Sequence, residues 1–269
     1  MESIISYKKI GRLALPIILS QSVVLLNGLI NLAFIGPLGT DAIAAVAMAN
    51  AVCATTFNFL EGFRVGTTVL IAKASADHDL NKGTGILTAG LFLAAIIGIL
   101  LYALAPEISR VVYDSIDNDA IRRHGADYLR IMLRTVPLTL GLYVFVGLFR
   151  GLRDATTPLY GILAVCLIDT LLSYLLVYGK AGLPCLGVTG AALATMTANF
   201  AGLAIVICLA TTRTHTRQYV RWNPQFFAHI REYSVLAADI GLNTGSTLLA
   251  LLIFVGIIKD LGPAALAVH

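Results

Sequence analysis

The chain has 269 residues, of which 58% are hydrophobic and only 13% charged. A soluble domain carries about 25% charged residues, so half the usual charge is missing, which excludes a disordered chain, a nucleic-acid module and an ordinary cytosolic enzyme. The 19 basic against 15 acidic side chains leave a formal charge of +4, and this surplus is informative only through where the basic residues sit.

Apolar stretches long enough to cross a bilayer occur at 13–35, 43–71, 84–105, 127–149, 158–178, 187–211 and 234–258. All run far past the length of a strand, so each predicts a membrane helix. The first is too long for a removable leader and no small-residue cleavage site follows it, so it reads as a span. Basic residues set the orientation. Lys8, Lys9 and Arg12 precede the first span, Lys73 and Lys82 follow the second, Arg150 and Arg153 the fourth, and Arg213, Arg217, Arg221 and Arg231 the sixth. All lie on one side, which predicts a multi-pass protein of the inner (plasma) membrane with a cytoplasmic N-terminus. The four cysteines, Cys53, Cys166, Cys185 and Cys208, show no CxxC or Cys/His spacing and read as buried small hydrophobes rather than a disulfide framework or zinc site.

In chain order, the polar residues inside these spans begin with the first helix. Pro16 removes one backbone hydrogen bond and predicts a bend. Gln21, Asn27 and Asn31 follow it; the two asparagines are one turn apart and serve either as inter-helix glue or as cavity lining. In the second span Glu61 and Arg64 are three residues apart and can pair on one face. The 77-DHD triplet after that span reads as a solvated connection, not a metal site. RGLRDATTP at 150–158 predicts a helix start, with Thr156 or Thr157 as cap, Pro158 in the first turn and Arg150 and Arg153 left in the cytoplasm.

Asp169 is the sharpest feature. It lies about eleven residues, or roughly 16 Å of helix, beyond Pro158, near the bilayer midplane, where an ionisable group is by default a functional candidate. The structural alternative is a carboxylate satisfied by a neighbouring helix for packing alone. Ser173 is one turn further along the same face, so a cation can meet both oxygens. In the sixth span Thr189, Thr195, Thr197 and Asn199 sit among small residues that permit close helix approach. Walker A, GxGxxG, HExxH and GxSxG motifs are absent, so neither nucleotide-driven transport nor hydrolysis is expected, and no enzyme, cofactor or metal centre is predicted.

A shift of 223 positions aligns the first span with the last: Leu13, Ala14, Ile17 and Leu19 meet Leu236, Ala237, Ile240 and Leu242, and 38-LGTDAIAA meets 261-LGPAALAV. Six spans separate the copies, so both point the same way, as in the parallel repeats of secondary transporters. The expected organisation is a six-helix N-terminal lobe at 1–211, a cytoplasmic inter-lobe linker at 212–233, and at 234–269 the first helix of an incomplete second lobe.

Five segments in order, LALPIILSQSV with GLINLAFIGPLG, RVGTTVLIAKASADHD, FRGLRDATTPLY, LPCLGVTGAALATMTAN and AADIGLN, together resemble the multidrug and toxic compound extrusion (MATE) transporters, in particular the DinF-like branch. The resemblance runs from about residue 8 to the end. It implies an all-α integral membrane fold of twelve helices in two lobes, here truncated after the seventh, and export of organic cations or other amphipathic compounds in exchange for sodium ions or protons. The family's N-lobe cation site uses an acidic residue late in the first helix, where this chain has Asn31. It uses an asparagine and then an aspartate one turn apart in the fifth helix, where this chain has Asp169 and Ser173. Its sixth-helix threonine best matches Thr195.

Two carboxylates have thus become one, which suffices to cycle a single proton and weakens the case for tight sodium binding. The implied partners are membrane lipid, a small amphipathic or cationic substrate, and either self-association or a missing C-terminal lobe, with no nucleic acid. Two other readings stand beside the antiporter: a non-transporting membrane remnant, and a lipid-linked oligosaccharide flippase of the same superfamily.

Overall fold

The computed structural model describes residues 7–260 apart from residue 115. Among the described residues the chain is helical throughout, with no strands. Helices α1 (Tyr7–Ile35), α2 (Thr40–Ala76) and α3 (Leu80–Tyr113) come first. Next come α4 (Asp119–Arg134), α5 (Val136–Gly151), α6 (Thr156–Tyr178) and α7 (Gly187–Thr212). The short α8 (Thr214–Arg217), a 3-10 turn at Pro224–Phe226 and α9 (Phe227–Asp260) complete the order. Five of these helices are long and apolar enough to cross a membrane, and α4 with α5, bent by 40° at their junction, passes the same test when the pair is taken together as one span. The 37 residues of α2 extend about 55 Å, well beyond the hydrocarbon core.

Several boundaries differ from the sequence reading, each for a local reason. The fourth span is not one helix starting at 127: α4 begins at Asp119, where the Asn118 side chain accepts from the amides of Ala120 and Ile121. It ends at Arg134, because Pro137 offers no N–H to the carbonyl of Leu133 and the helix breaks there. α6 is capped not by a threonine but by Asp154, whose Oδ1 accepts from the amides of Thr156 and Thr157; an ionised oxygen at a helix start outcompetes a hydroxyl. The 212–233 linker is largely folded, and α9 starts within it at Phe227. α1 runs through Pro16 as one continuous helix. Of the cysteines only Cys53 is buried; Cys185 and Cys208 are exposed. The 261-LGPAALAV segment of the repeat lies outside the described residues.

The outer surface is what a bilayer requires. Large apolar side chains such as Leu25, Leu167 and Val111, each more than 70% exposed, face outward, while backbone polar groups are consumed inside the helices. Two apolar clusters hold the interior. One joins α2, α3, α5 and α9 around Phe63, Ile71, Phe149 and Tyr233. The other gathers the opposite ends of α2, α3, α4, α6 and α7 around Tyr113, Leu129 and Val177.

The tightest approach is between α2 and α9. Each carries a glycine pair four residues apart, Gly62 with Gly66 and Gly241 with Gly245, which is the spacing that lets membrane helices touch backbone to backbone. A Cβ on Gly62 would stand 1.9 Å from the Ala237 carbonyl oxygen, and one on Gly241 would stand 2.2 Å from that of Phe59. Backbone cannot move aside cheaply. Gly62→Ala is therefore expected to lower stability by about 1–3 kcal/mol, read as a fall in the melting temperature of the detergent-solubilised chain. Gly28→Ala on α1, where nothing lies within 4 Å, is the control that leaves it unchanged or raised.

Candidate functional site: a buried carboxylate beside a membrane cavity

Asp169 lies midway along α6 and is 2% exposed. Both α1 asparagines converge on one of its oxygens: Nδ2 of Asn27 donates to Oδ2 at 2.6 Å and Nδ2 of Asn31 at 2.7 Å. Their four-residue spacing puts them on one helix face. The other oxygen, Oδ1, accepts from Thr195 Oγ1 of α7 at 3.0 Å. Three helices are tied to a single carboxylate. Hydrogen bonds to a charged group contribute about 1.5–3 kcal/mol each, and together they offset the several kcal/mol that desolvating an ion costs.

The sequence reading weighed Asn27 as inter-helix glue. It is that, but it touches Asp169 as directly as Asn31 does, and its Oδ1 accepts from Thr170 Oγ1 at 3.0 Å. In the sequence, the signal for Thr170 is its place next to Asp169. A carboxylate only accepts, so each asparagine must turn its nitrogen inward. This leaves Asn31 Oδ1 buried without a partner. Ser173 Oγ is likewise fully buried and unpartnered, where a membrane-helix serine usually bonds back to its own backbone. Neither Asn31 nor Ser173 lines the adjoining cavity. The assembly gathers one carboxyl group and two uncommitted neutral oxygens, the all-oxygen chemistry that hard cations take.

Asp169 forms part of the wall of a cavity of about 570 Å³, to which Gln21, Asn27, Glu61, Arg64, Thr195 and Asn199 also contribute. That volume lies within the range of small-molecule sites. Glu61 and Arg64 form an ion pair, so they add no net charge, and Asp169 is the remaining acidic residue of the wall. Polar residues that the sequence did not mark also line it: Asn58, Thr135, Thr139, Tyr143 and, from α9, Thr244. Thr135 and Thr139 reach it because the α4–α5 break turns them inward, and Pro137 between them was the readable sign. Arg150, expected in the cytoplasm, is half-buried and its Nη2 reaches Ser20 Oγ of α1 at 3.5 Å.

Further contacts hold α1 against α6. Tyr178 Oη donates to the Phe34 carbonyl at 2.9 Å, and Phe34 packs its ring against Tyr174 and Tyr178. At the 77-DHD connection, Asp79 caps α3 by accepting from the Lys82 amide. No group of three metal-ligating side chains occurs among the described residues.

The MatE family model matches residues 16–175. A probable multidrug resistance protein NorM from Bradyrhizobium diazoefficiens is 30% identical over 210 residues, 77% of this chain and 45% of the relative. DNA damage-inducible protein F of Escherichia coli is 30% identical over 202 residues, 74% of this chain and 43% of that protein. Among solved structures, a MOP superfamily transporter from Pyrococcus furiosus superposes with a TM-score of 0.81 at 22% identity, over 94% of this chain and 55% of its own. The chain spans about half the length of the curated relatives it matches. With more than half of its residues matched by the family model and its helices arranged in the fold these transporters share, the chain belongs to the MatE family, the multidrug and toxic compound extrusion (MATE) transporters.

Proposed function

We propose that this chain supplies the ion-coupling lobe of a secondary antiporter of the inner (plasma) membrane, exporting organic cations or other amphipathic xenobiotics in exchange for protons. The observation that carries the reading is the Asp169 carboxylate, bonded by α1 and set in the wall of a cavity of substrate size. In this reading residues 1–211 form the lobe, 212–233 the cytoplasmic linker and 234–269 the opening of a second lobe, with the N-terminus cytoplasmic. The second lobe is the partner that completes the substrate path.

The chemistry follows from the three hydrogen bonds. Ionised Asp169 holds the asparagines of α1 and, with the Glu61–Arg64 pair internally neutral, leaves the cavity attractive to a cation. Protonation removes the charge, weakens both amide bonds and adds a donor. Rotating the Asn31 amide then presents its free Oδ1 to the new O–H. The attachment of α1 to α6 therefore differs between the two states, which is the differential interaction a ligand needs in order to shift a conformational equilibrium. With a single carboxylate, the proton is favoured over sodium as the coupling ion. The same net negative charge disfavours a phosphate-bearing oligosaccharide, and with it the flippase reading.

The test is efflux of ethidium driven by a pH gradient, in vesicles holding the chain together with a C-terminal lobe. Asp169→Asn is expected to bring efflux down to the level of empty vesicles. Parental efflux in that variant would remove Asp169 from the coupling role, and vesicles that show no gradient-driven efflux even with the parental residue would favour the remnant reading.

The ion preference carries a second prediction. Asn31→Asp places a second carboxylate beside the first, and the extra charge at a few ångströms is expected to raise sodium affinity by at least about tenfold. Sodium stimulation of ethidium efflux at fixed pH measures this, and an unchanged sodium response would count against a cation site at these residues.

A further inference from the structure

A second cavity, of about 640 Å³, shares no lining residue with the Asp169 cavity. It lies between the first turn of α3, at Leu80, Asn81 and Thr84, and the linker from Gln218 to Gln225. Its one charged lining residue is Arg221, which is exposed. The side-chain donors of Asn81, Gln218, Arg221 and Gln225 make no hydrogen bond among the described residues. They stand on a fixed floor. Asn223 Nδ2 donates to the Asn81 carbonyl at 2.9 Å and to Thr84 Oγ1 at 3.0 Å, and its Oδ1 accepts from the Gln225 amide at 2.9 Å. The niche is thus organised before any ligand arrives.

Aromatic rings flank it. Phe226 is buried and stacks on Phe227 at 4.2 Å, with Trp222 at 5.3 Å and Phe92 of α3 at 5.1 Å. Phe92 belongs to the apolar run of the third span, so this cluster extends to the edge of the hydrocarbon. Trp222 is nonetheless 70% exposed and Phe227 66%. Exposed aromatics beside arginines at the end of a span are the composition of a membrane–water interface. Arg217 and Arg231 on the same linker are also exposed and make no ion pair among the described residues. Of the acids on these segments, Asp79 accepts from the Lys82 amide at the start of α3 and Glu232 faces Lys82 at 3.9 Å; neither pairs with Arg221.

We propose that this niche binds the phosphate-bearing headgroup of an anionic glycerophospholipid, with Arg221 on the phosphate, the amides of Asn81, Gln218 and Gln225 on the glycerol portion, and Trp222 and Phe227 against the upper acyl chains. Assigning it to the cytoplasmic leaflet rests on the orientation proposed above. The binding itself does not depend on transport, so failure here and failure of the antiporter reading are separately visible.

Trp222 is the chain's single tryptophan, so its fluorescence reports on this niche alone. The full chain in neutral detergent is titrated with phosphatidylglycerol or phosphatidylcholine brominated near the headgroup end of the acyl chains. Quenching by phosphatidylglycerol is expected at several-fold lower lipid concentration. Each basic side chain at a membrane surface contributes about 1 kcal/mol, so Arg221→Gln should weaken the phosphatidylglycerol curve about fivefold, while Arg221→Lys retains most of the preference. Glycerol 3-phosphate at matched concentration should leave the quenching intact. Equal quenching by the two lipids, an unchanged preference in Arg221→Gln, or displacement by glycerol 3-phosphate, which identifies a site for a soluble phosphate compound, would each overturn the assignment.

Discussion

A charge in the middle of a membrane protein must be satisfied by the protein, and around Asp169 that single requirement organises three helices. Its two oxygens collect donors from α1 and α7 while its own backbone belongs to α6. Removing one donor leaves the carboxylate less compensated and also releases a helix. In the proposed antiport, structure and function would share these hydrogen bonds, and a change in charge at this position would be a change in helix attachment.

The importance of those bonds to α1 comes from how little else holds it. The most apolar stretch of α1 is only 6% buried, whereas the corresponding stretch of α3 is 39% buried. Its leucines at 15, 25 and 29 are largely exposed. Dispersion and apolar burial therefore fix α3 and α5 firmly, while α1 depends on polar and aromatic contacts at Ser20, Asn27, Asn31 and Phe34. Of the five single-helix spans α1 is the least buried, and in the proposed antiport it is the one whose anchorage a proton would alter.

The sequence made the spans legible because a bilayer tolerates few alternatives to a long apolar helix. It also exposed Asp169, since a carboxylate amid so few charges stands out by contrast. What it hid was pairing across helices. Nothing local to Asn27 distinguishes a glue asparagine from one bonded to Asp169, because the partner lies 142 residues away. The α4–α5 break was written in Pro137, but a hydropathy window averages over it, and the span looked continuous. Capping was misassigned at α6 for a similar reason: Asp154, Thr156 and Thr157 are all competent caps, and only the folded backbone shows that Asp154 reaches the free amides. The linker looked like a polar tether, yet Gly83 and Gly85 of α3 leave room for the rings of Tyr219 and His229, against which a Cβ would collide.

The interlocked glycines of α2 and α9 also restrict which relative motions are available to these helices. At Gly62 and Gly241 each helix presents bare backbone to a carbonyl of the other, in antiparallel order. Sliding α9 along α2 by one residue, about 1.5 Å, would bring a side-chain carbon to a place where only hydrogen fits. Tilting about the same contact leaves both glycines where they are. The contact therefore acts as a fulcrum that permits rocking and forbids translation, so that displacement at the far ends of the two helices grows with their distance from Gly62.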